Sequence, residues 1–198
     1  MTKIKICGIR RLKDIEYLNE LLPDYAGFIF ASSKRHVDKE HAYDLIKNLH
    51  KSIQKVGIFV DEKPDVVLEI ADKLKLQVLQ FHGHENQEYI NKFNGYKIWK
   101  AFKISNALSI SKLNNYKCSK FLLDNTSSGS GKNFDWNLAE KKVDGQNIIL
   151  AGGLNSENVE QGIIKFKPYG VDVSSGVEVN GFKDYDKIKE FIKKVREL

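Results

Sequence analysis

Cysteine, proline and methionine are scarce in this chain: two, three and one in 198 residues. Cys7 and Cys118 are too few for a disulfide framework and show no metal-ligand spacing, so the expectation is two free thiols and no metal. With so little proline and no long Gly/Ser run, no linker is evident, and the chain reads as one domain over residues 1–198. No apolar run approaches the ~18 residues of a membrane span, and the first residues enter strand-like sequence without an apolar signal core. The expectation is a soluble, cytoplasmic protein with no membrane partner. The formal charge is +6, yet the lysines are spread along the chain and no basic segment is interleaved with aromatics, which argues against a nucleic-acid partner.

What is present is a regular alternation. Hydrophobic residues make up 41% of the chain, enough for a full core. Strand-like runs are predicted at 3–7, 25–31, 54–60, 78–81, 96–102, 120–123, 147–151 and 170–173. Helical periodicity is predicted between and after them at 12–22, 38–49, 64–74, 86–93, 107–114, from about 136, at 156–164 and at 185–195. Eight strand-helix units with continuous apolar strands point to a parallel α/β sheet closed as a small (β/α)8 (TIM) barrel. An open doubly wound sheet is the alternative, but Gly8 alone is no glycine-rich phosphate fingerprint.

In such a barrel, reacting groups sit at the carboxyl ends of the strands. Those ends carry Cys7, the segment Ser32 to His36 with Arg35, His82, Asp124, Gly152-Gly153 and Ser174-Ser175. The glycine and serine pairs after strands seven and eight suit a phosphate held by backbone N–H groups, with a short extra helix after the second. Arg35 offers a planar fork for a carboxylate or phosphate. Asp124 ends a very apolar strand, a setting suited to a group that holds and donates a proton. His82 reads as a structural or substrate-packing residue. Each also has a plainer reading: a buried thiol, a surface arginine, a loop cap, a turn. Together they describe cofactor-free acid/base chemistry on a small substrate with two anionic ends.

The set Lys5-Ile6-Cys7-Gly8-Ile9, Arg35, Gln80-Phe81-His82-Gly83, Leu122-Leu123-Asp124, Gly129-Ser130-Gly131-Lys132, Phe134-Asp135-Trp136, Leu150-Ala151-Gly152-Gly153-Leu154 and Val171 to Glu178 closely resembles the phosphoribosylanthranilate isomerase family, in order and over the whole chain. That resemblance implies an Amadori rearrangement of N-(5'-phosphoribosyl)anthranilate, an aminoaldose, to the aminoketose carboxyphenylaminodeoxyribulose phosphate in tryptophan biosynthesis. It implies Asp124 as general acid, Cys7 as general base, Arg35 on the anthranilate carboxylate, and Gly152, Gly153, Ser174 and Ser175 on the phosphate. His82 joins the substrate-binding set, no cofactor is required, and a monomer or homodimer is expected. The segment Phe30-Ala31-Ser32-Ser33-Lys34 departs from the family's aromatic and proline. The compact stretch between Asp124 and Gly129 is a second departure. Another phosphosugar barrel enzyme, or a catalytically silent anion- or RNA-binding barrel, are the alternatives.

One expectation comes from alternation. If Cys7 faces the barrel interior, Lys5 does too, and an inward lysine needs a counter-charge. Asp172, on the strand that closes against the first, is the candidate, and the pair is expected to bias Cys7 toward thiolate.

Overall fold

The structure is a computed structural model that describes residues 1–104, 111–125 and 144–198. Eight parallel strands close into a barrel in chain order: β1 (Lys3–Cys7), β2 (Tyr25–Ile29), β3 (Gln54–Phe59), β4 (Val78–Phe81), β5 (Lys97–Ile104), β6 (Lys120–Asn125), β7 (Ile148–Leu150) and β8 (Gly170–Val173). Pairing of β8 with β1 completes the ring. Six α-helices lie among the described residues: α1 (Leu12–Leu21), α2 (Lys39–Ile46), α3 (Pro64–Leu74), α4 (Gln87–Ile90), α5 (Val159–Phe166) and α6 (Tyr185–Arg196). The expected (β/α)8 barrel is the fold, and no described helix is long and apolar enough to cross a membrane.

The period of two along each strand divides the side chains between two cores. Ile4, Ile6, Phe28, Leu79, Phe81, Leu123, Leu150 and Val171 pack outward against the helices. Cys7, Tyr25, Val56, Ile58, Val78, Trp99, Ala101, Leu122, Ile149 and Ala151 fill the inside. Tyr25 stands edge-on to Trp99, with ring centroids 4.9 Å apart, and its hydroxyl meets that of Tyr169 at 2.7 Å. These rings fill the barrel floor, at the end away from the carboxyl ends of the strands.

Local chemistry sets the helix ends. Asp38 caps α2 by accepting from the backbone N–H of His41 at 2.7 Å, and Asp184 caps α6 by accepting from Lys187 at 3.0 Å. Pro64 opens α3, where its missing N–H is harmless. In α6, Ile188, Phe191, Ile192 and Val195 form one buried stripe.

Several boundaries differ from the periodicity, each for a local reason. The helix after β7 begins at Val159 rather than 156, because Asn155 accepts from the N–H groups of Glu157 and Asn158 while Asn158 accepts from that of Asn155. Such side-chain turns compete with the helical ladder. The helix expected over 86–93 is one turn, since Phe93 folds inward onto Phe81. Helix α2 stops at Ile46, and its last turn tightens into i to i−3 bonds from Asn48 and Leu49. Strands β5 and β6 run longer than expected, which makes Asp124 part of β6 itself. An unexpected hairpin, β9 (Glu178–Val179) with β10 (Phe182–Lys183), turns at Asn180-Gly181. Both turn residues have positive φ, the Asn-Gly signal of a two-residue hairpin loop. The helices expected at 107–114 and from about 136 lie largely or wholly outside the described residues; Lys112–Asn115 forms a 3₁₀ turn.

Phe81 is fully buried and stands 4.9 Å from Phe93 and 5.3 Å from Tyr89, measured between ring centroids. Phe81→Ala is expected to lose about 3–5 kcal/mol of folding stability. Urea unfolding checks this, and an unchanged midpoint would show that this cluster does not hold α4 to the barrel.

Candidate active site

A cavity of ≈ 260 Å³ opens at the carboxyl ends of the strands. Cys7, Arg35, His82, Asp124, Gly152, Gly153, Ser174 and Ser175 all line it, so residues drawn from six strand ends converge on one pocket. Ile29, Ile58, Val60 and Leu122 supply an apolar wall beside them.

On the β1 side, the ammonium of Lys5 donates to Oδ2 of Asp172 at 2.8 Å, with side chains 1% and 9% exposed. The buried pair expected from alternation is therefore present, directly beneath Cys7. Gly27 makes room for it: a Cβ there would stand 3.0 Å from the Cys7 sulfur and 3.1 Å from Cε of Lys5. The expected net bias toward thiolate is not found. Burial pushes the Cys7 thiol above its usual range; Lys5 pulls it down and Asp172 raises it again. Burial wins because the sulfur is enclosed while its cation is already shared with a carboxylate. Lys5 itself is depressed by burial, but Asp172 and Cys7 more than offset this and keep it charged.

On the opposite side, Nε2 of His82 lies 3.1 Å from Oδ2 of Asp124. His82 thus touches the proposed acid instead of merely packing beside it. The turn that carries it is pinned from outside the barrel. Buried Lys100 donates to the carbonyl of Gly83 at 2.8 Å and to Glu85 at 3.0 Å, while Glu85 accepts from the N–H groups of Asp61 and Gly83. The ends of β3, β4 and β5 are locked together by this network.

At the two anion ends the geometry differs. Gly152 and Gly153 have φ of 77° and 74°, so they turn the chain after β7 in a way a side chain would resist. Gly176 touches the same turn, since a Cβ there would lie 1.9 Å from the carbonyl oxygen of Leu154. The short helix expected after β8 is a 3₁₀ turn at Ser175–Val177. Arg35 is engaged: Nε and Nη2 each donate to Glu178 at 2.7 Å. Lys183, 4% exposed, donates to the same carboxylate at 2.6 Å and to the Ser174 carbonyl at 2.9 Å. Burial acts against the Glu178 charge, but the two cations outweigh it and hold the carboxyl below its usual range.

The family profile described as N-(5'-phosphoribosyl)anthranilate (PRA) isomerase matches residues 4–194. The isomerase of Caldanaerobacter subterraneus is 50% identical over 99% of this chain and 98% of its own. The chain belongs to the PRA isomerase family. That of Clostridium acetobutylicum is 48% identical over the full length of both chains. The crystal structure of the PRA isomerase from Thermotoga maritima superposes with a TM-score of 0.91 at 38% identity, covering both chains fully. Another PRA isomerase structure, in complex with reduced 1-(o-carboxyphenylamino)-1-deoxyribulose 5-phosphate, has a TM-score of 0.89 at 37% identity over both chains. With membership comes the family's activity, an aldose-to-ketose isomerisation in tryptophan biosynthesis.

Relative to the PRA isomerase motifs, the structure adds residues that sequence reading passed over. Gln80 lines the cavity with a buried acceptor oxygen, Oε1, and Asp172, expected only as the partner of Lys5, also lines it with Oδ1; among the described residues neither oxygen has a hydrogen-bond partner. Strand alternation could have placed Gln80 inside; nothing local marks Glu178 as the partner of Arg35 or Lys183 as a second cation on that carboxylate. The Gly129 to Lys132 and Phe134 to Trp136 motifs lie outside the described residues.

Lys5→Met leaves Asp172 buried without its cation and is expected to lose about 3–5 kcal/mol of stability. The double variant Lys5→Met/Asp172→Asn should recover much of this loss. Alkylation of Cys7 should accelerate with rising pH, and the curve should move to higher pH in both variants because the attraction of Lys5 exceeds the repulsion of Asp172. A Lys5→Met curve superimposable on that of wild type would show that Lys5 does not act on the thiol.

Proposed function

We propose that Asp124 and Cys7 carry the acid and base steps of the PRA isomerase reaction in this chain. Asp124 protonates the furanose ring oxygen, the C1'–O bond breaks, and the anthranilate nitrogen's lone pair completes a protonated Schiff base. The Cys7 thiolate then removes the C2' proton, and those electrons neutralise the iminium to give an enolamine. Tautomerisation to the ketone yields carboxyphenylaminodeoxyribulose phosphate. Each step is a proton transfer or an electron shift within the substrate, so no redox partner enters.

The observation that carries this reading is the convergence of a thiol and a histidine-bound carboxyl group in one cavity between two anion-accepting ends. The Gly152-Gly153 and Ser174-Ser175 turns would receive the phosphate. Arg35, with Nε and Nη2 already on Glu178, would offer Nη1 to the anthranilate carboxylate. The apolar wall of Ile29, Ile58 and Val60 suits the aromatic ring. The reading includes one domain over residues 1–198, a cytoplasmic location, a phosphosugar rather than nucleic acid as partner, and action as a monomer or homodimer. A related isomerase from Thermotoga maritima is described as dimeric and as having been converted to monomers.

Phosphoribosylanthranilate generated in situ should lose its fluorescence on addition of the protein. Cys7→Ser and Asp124→Asn should each lower turnover by about 10²–10⁴-fold. Arg35→Ala should act mainly on KM. Full rate without Cys7 would remove it as the base.

A further inference from the structure

Gln80 is a buried polar residue of the mouth that no step above uses. It points into the barrel from β4, is 1% exposed and lines the cavity. Its amide nitrogen lies 3.3 Å from Nδ1 of His82, while Nε2 of the same ring lies 3.1 Å from Oδ2 of Asp124. The backbone beside His82 is held by Glu85 and Lys100, which donate to or accept from Gly83. The ring is then held between Gln80 and Asp124, and its tautomer is set together with the orientation of the Gln80 amide.

An amide nitrogen only donates, so its contact with Nδ1 is a hydrogen bond when Nδ1 is the ring's acceptor. The single proton of neutral imidazole then sits on Nε2 and is donated to Asp124. With the amide in this orientation the opposite tautomer would set N–H against N–H, and Asp124 would have to spend its own proton on Nε2.

We propose that Gln80 is a positioning residue for the general acid: by holding His82 as the Nε2–H tautomer, it keeps Oδ2 of Asp124 hydrogen-bonded by a donor, so that the acid's own proton is not drawn to the ring. As that proton leaves, the new carboxylate is already met by a donor, so no reorganisation is needed. The inference rests on Asp124 being the acid.

Two-bond 1H–15N spectra of 15N-histidine-labelled protein, recorded where the ring is neutral, read the tautomer. The His82 signal is identified by its loss in His82→Asn. Wild type should show Nε2–H. Gln80→Met, similar in shape and lacking the donor, should show mixed tautomers, with kcat about tenfold lower, the worth of one hydrogen bond, and KM within about twofold. A wild-type His82 protonated on Nδ1 overturns the proposal even if Gln80→Met does not fold. So does a Gln80→Met protein that keeps both tautomer and kcat. The spectra need no turnover, so inactivity toward phosphoribosylanthranilate would count against the acid assignment and leave the tautomer result standing.

Discussion

The rest of the mouth depends on the buried ion pair between Lys5 and Asp172. The two residues are directly paired where β8 meets β1, the seam at which the barrel closes. A slip of β1 by one residue along that seam would turn Lys5 into the apolar layer under the helices, leave Asp172 facing inward without its cation and carry Cys7 out of the cavity. Such a pair adds little net stability, because the desolvation of two charges offsets most of their attraction. Its effect is on register and on the thiol. A buried ammonium is kept next to the sulfur only because a carboxylate keeps the ammonium charged.

How legible this was depends on how local each cause is. Strand period and chain order suffice to put Lys5 and Cys7 on one face and Asp172 across the closing seam, so that pair could be read from residues alone. The strand-end residues Arg35, His82, Asp124, Gly152 and Ser174 followed from the same logic, and all reach the cavity. The partner of Arg35 was not legible. Glu178 lies 143 positions away, on a hairpin whose Asn180-Gly181 turn is a clear local signal but whose docking is tertiary. Helix starts failed where Asn155 and Asn158 divert the backbone into side-chain turns, a competition that propensity and periodicity do not rank. The thiol's direction of shift failed for another reason. Counting charges favours thiolate, but only the enclosed position of the sulfur shows that desolvation is larger.

That raised thiol bears on the order of events in the proposed reaction. A base whose proton is held tightly in the empty site attacks nothing prematurely, and the C2' hydrogen of a closed furanose is in any case not acidic. Ring opening changes both. The protonated Schiff base next to C2' acidifies that hydrogen and brings a positive charge toward the sulfur, which favours thiolate by the attraction that Lys5 alone cannot supply against burial. The acid must therefore act first, and its readiness is set on the other side of the barrel by His82 and the turn that Glu85 and Lys100 pin. Two buried ion pairs, one on each side of the mouth, thus hold the base and the acid at their places: Lys5 with Asp172 acts on the sulfur by charge, and Lys100 with Glu85 acts on the carboxyl by geometry.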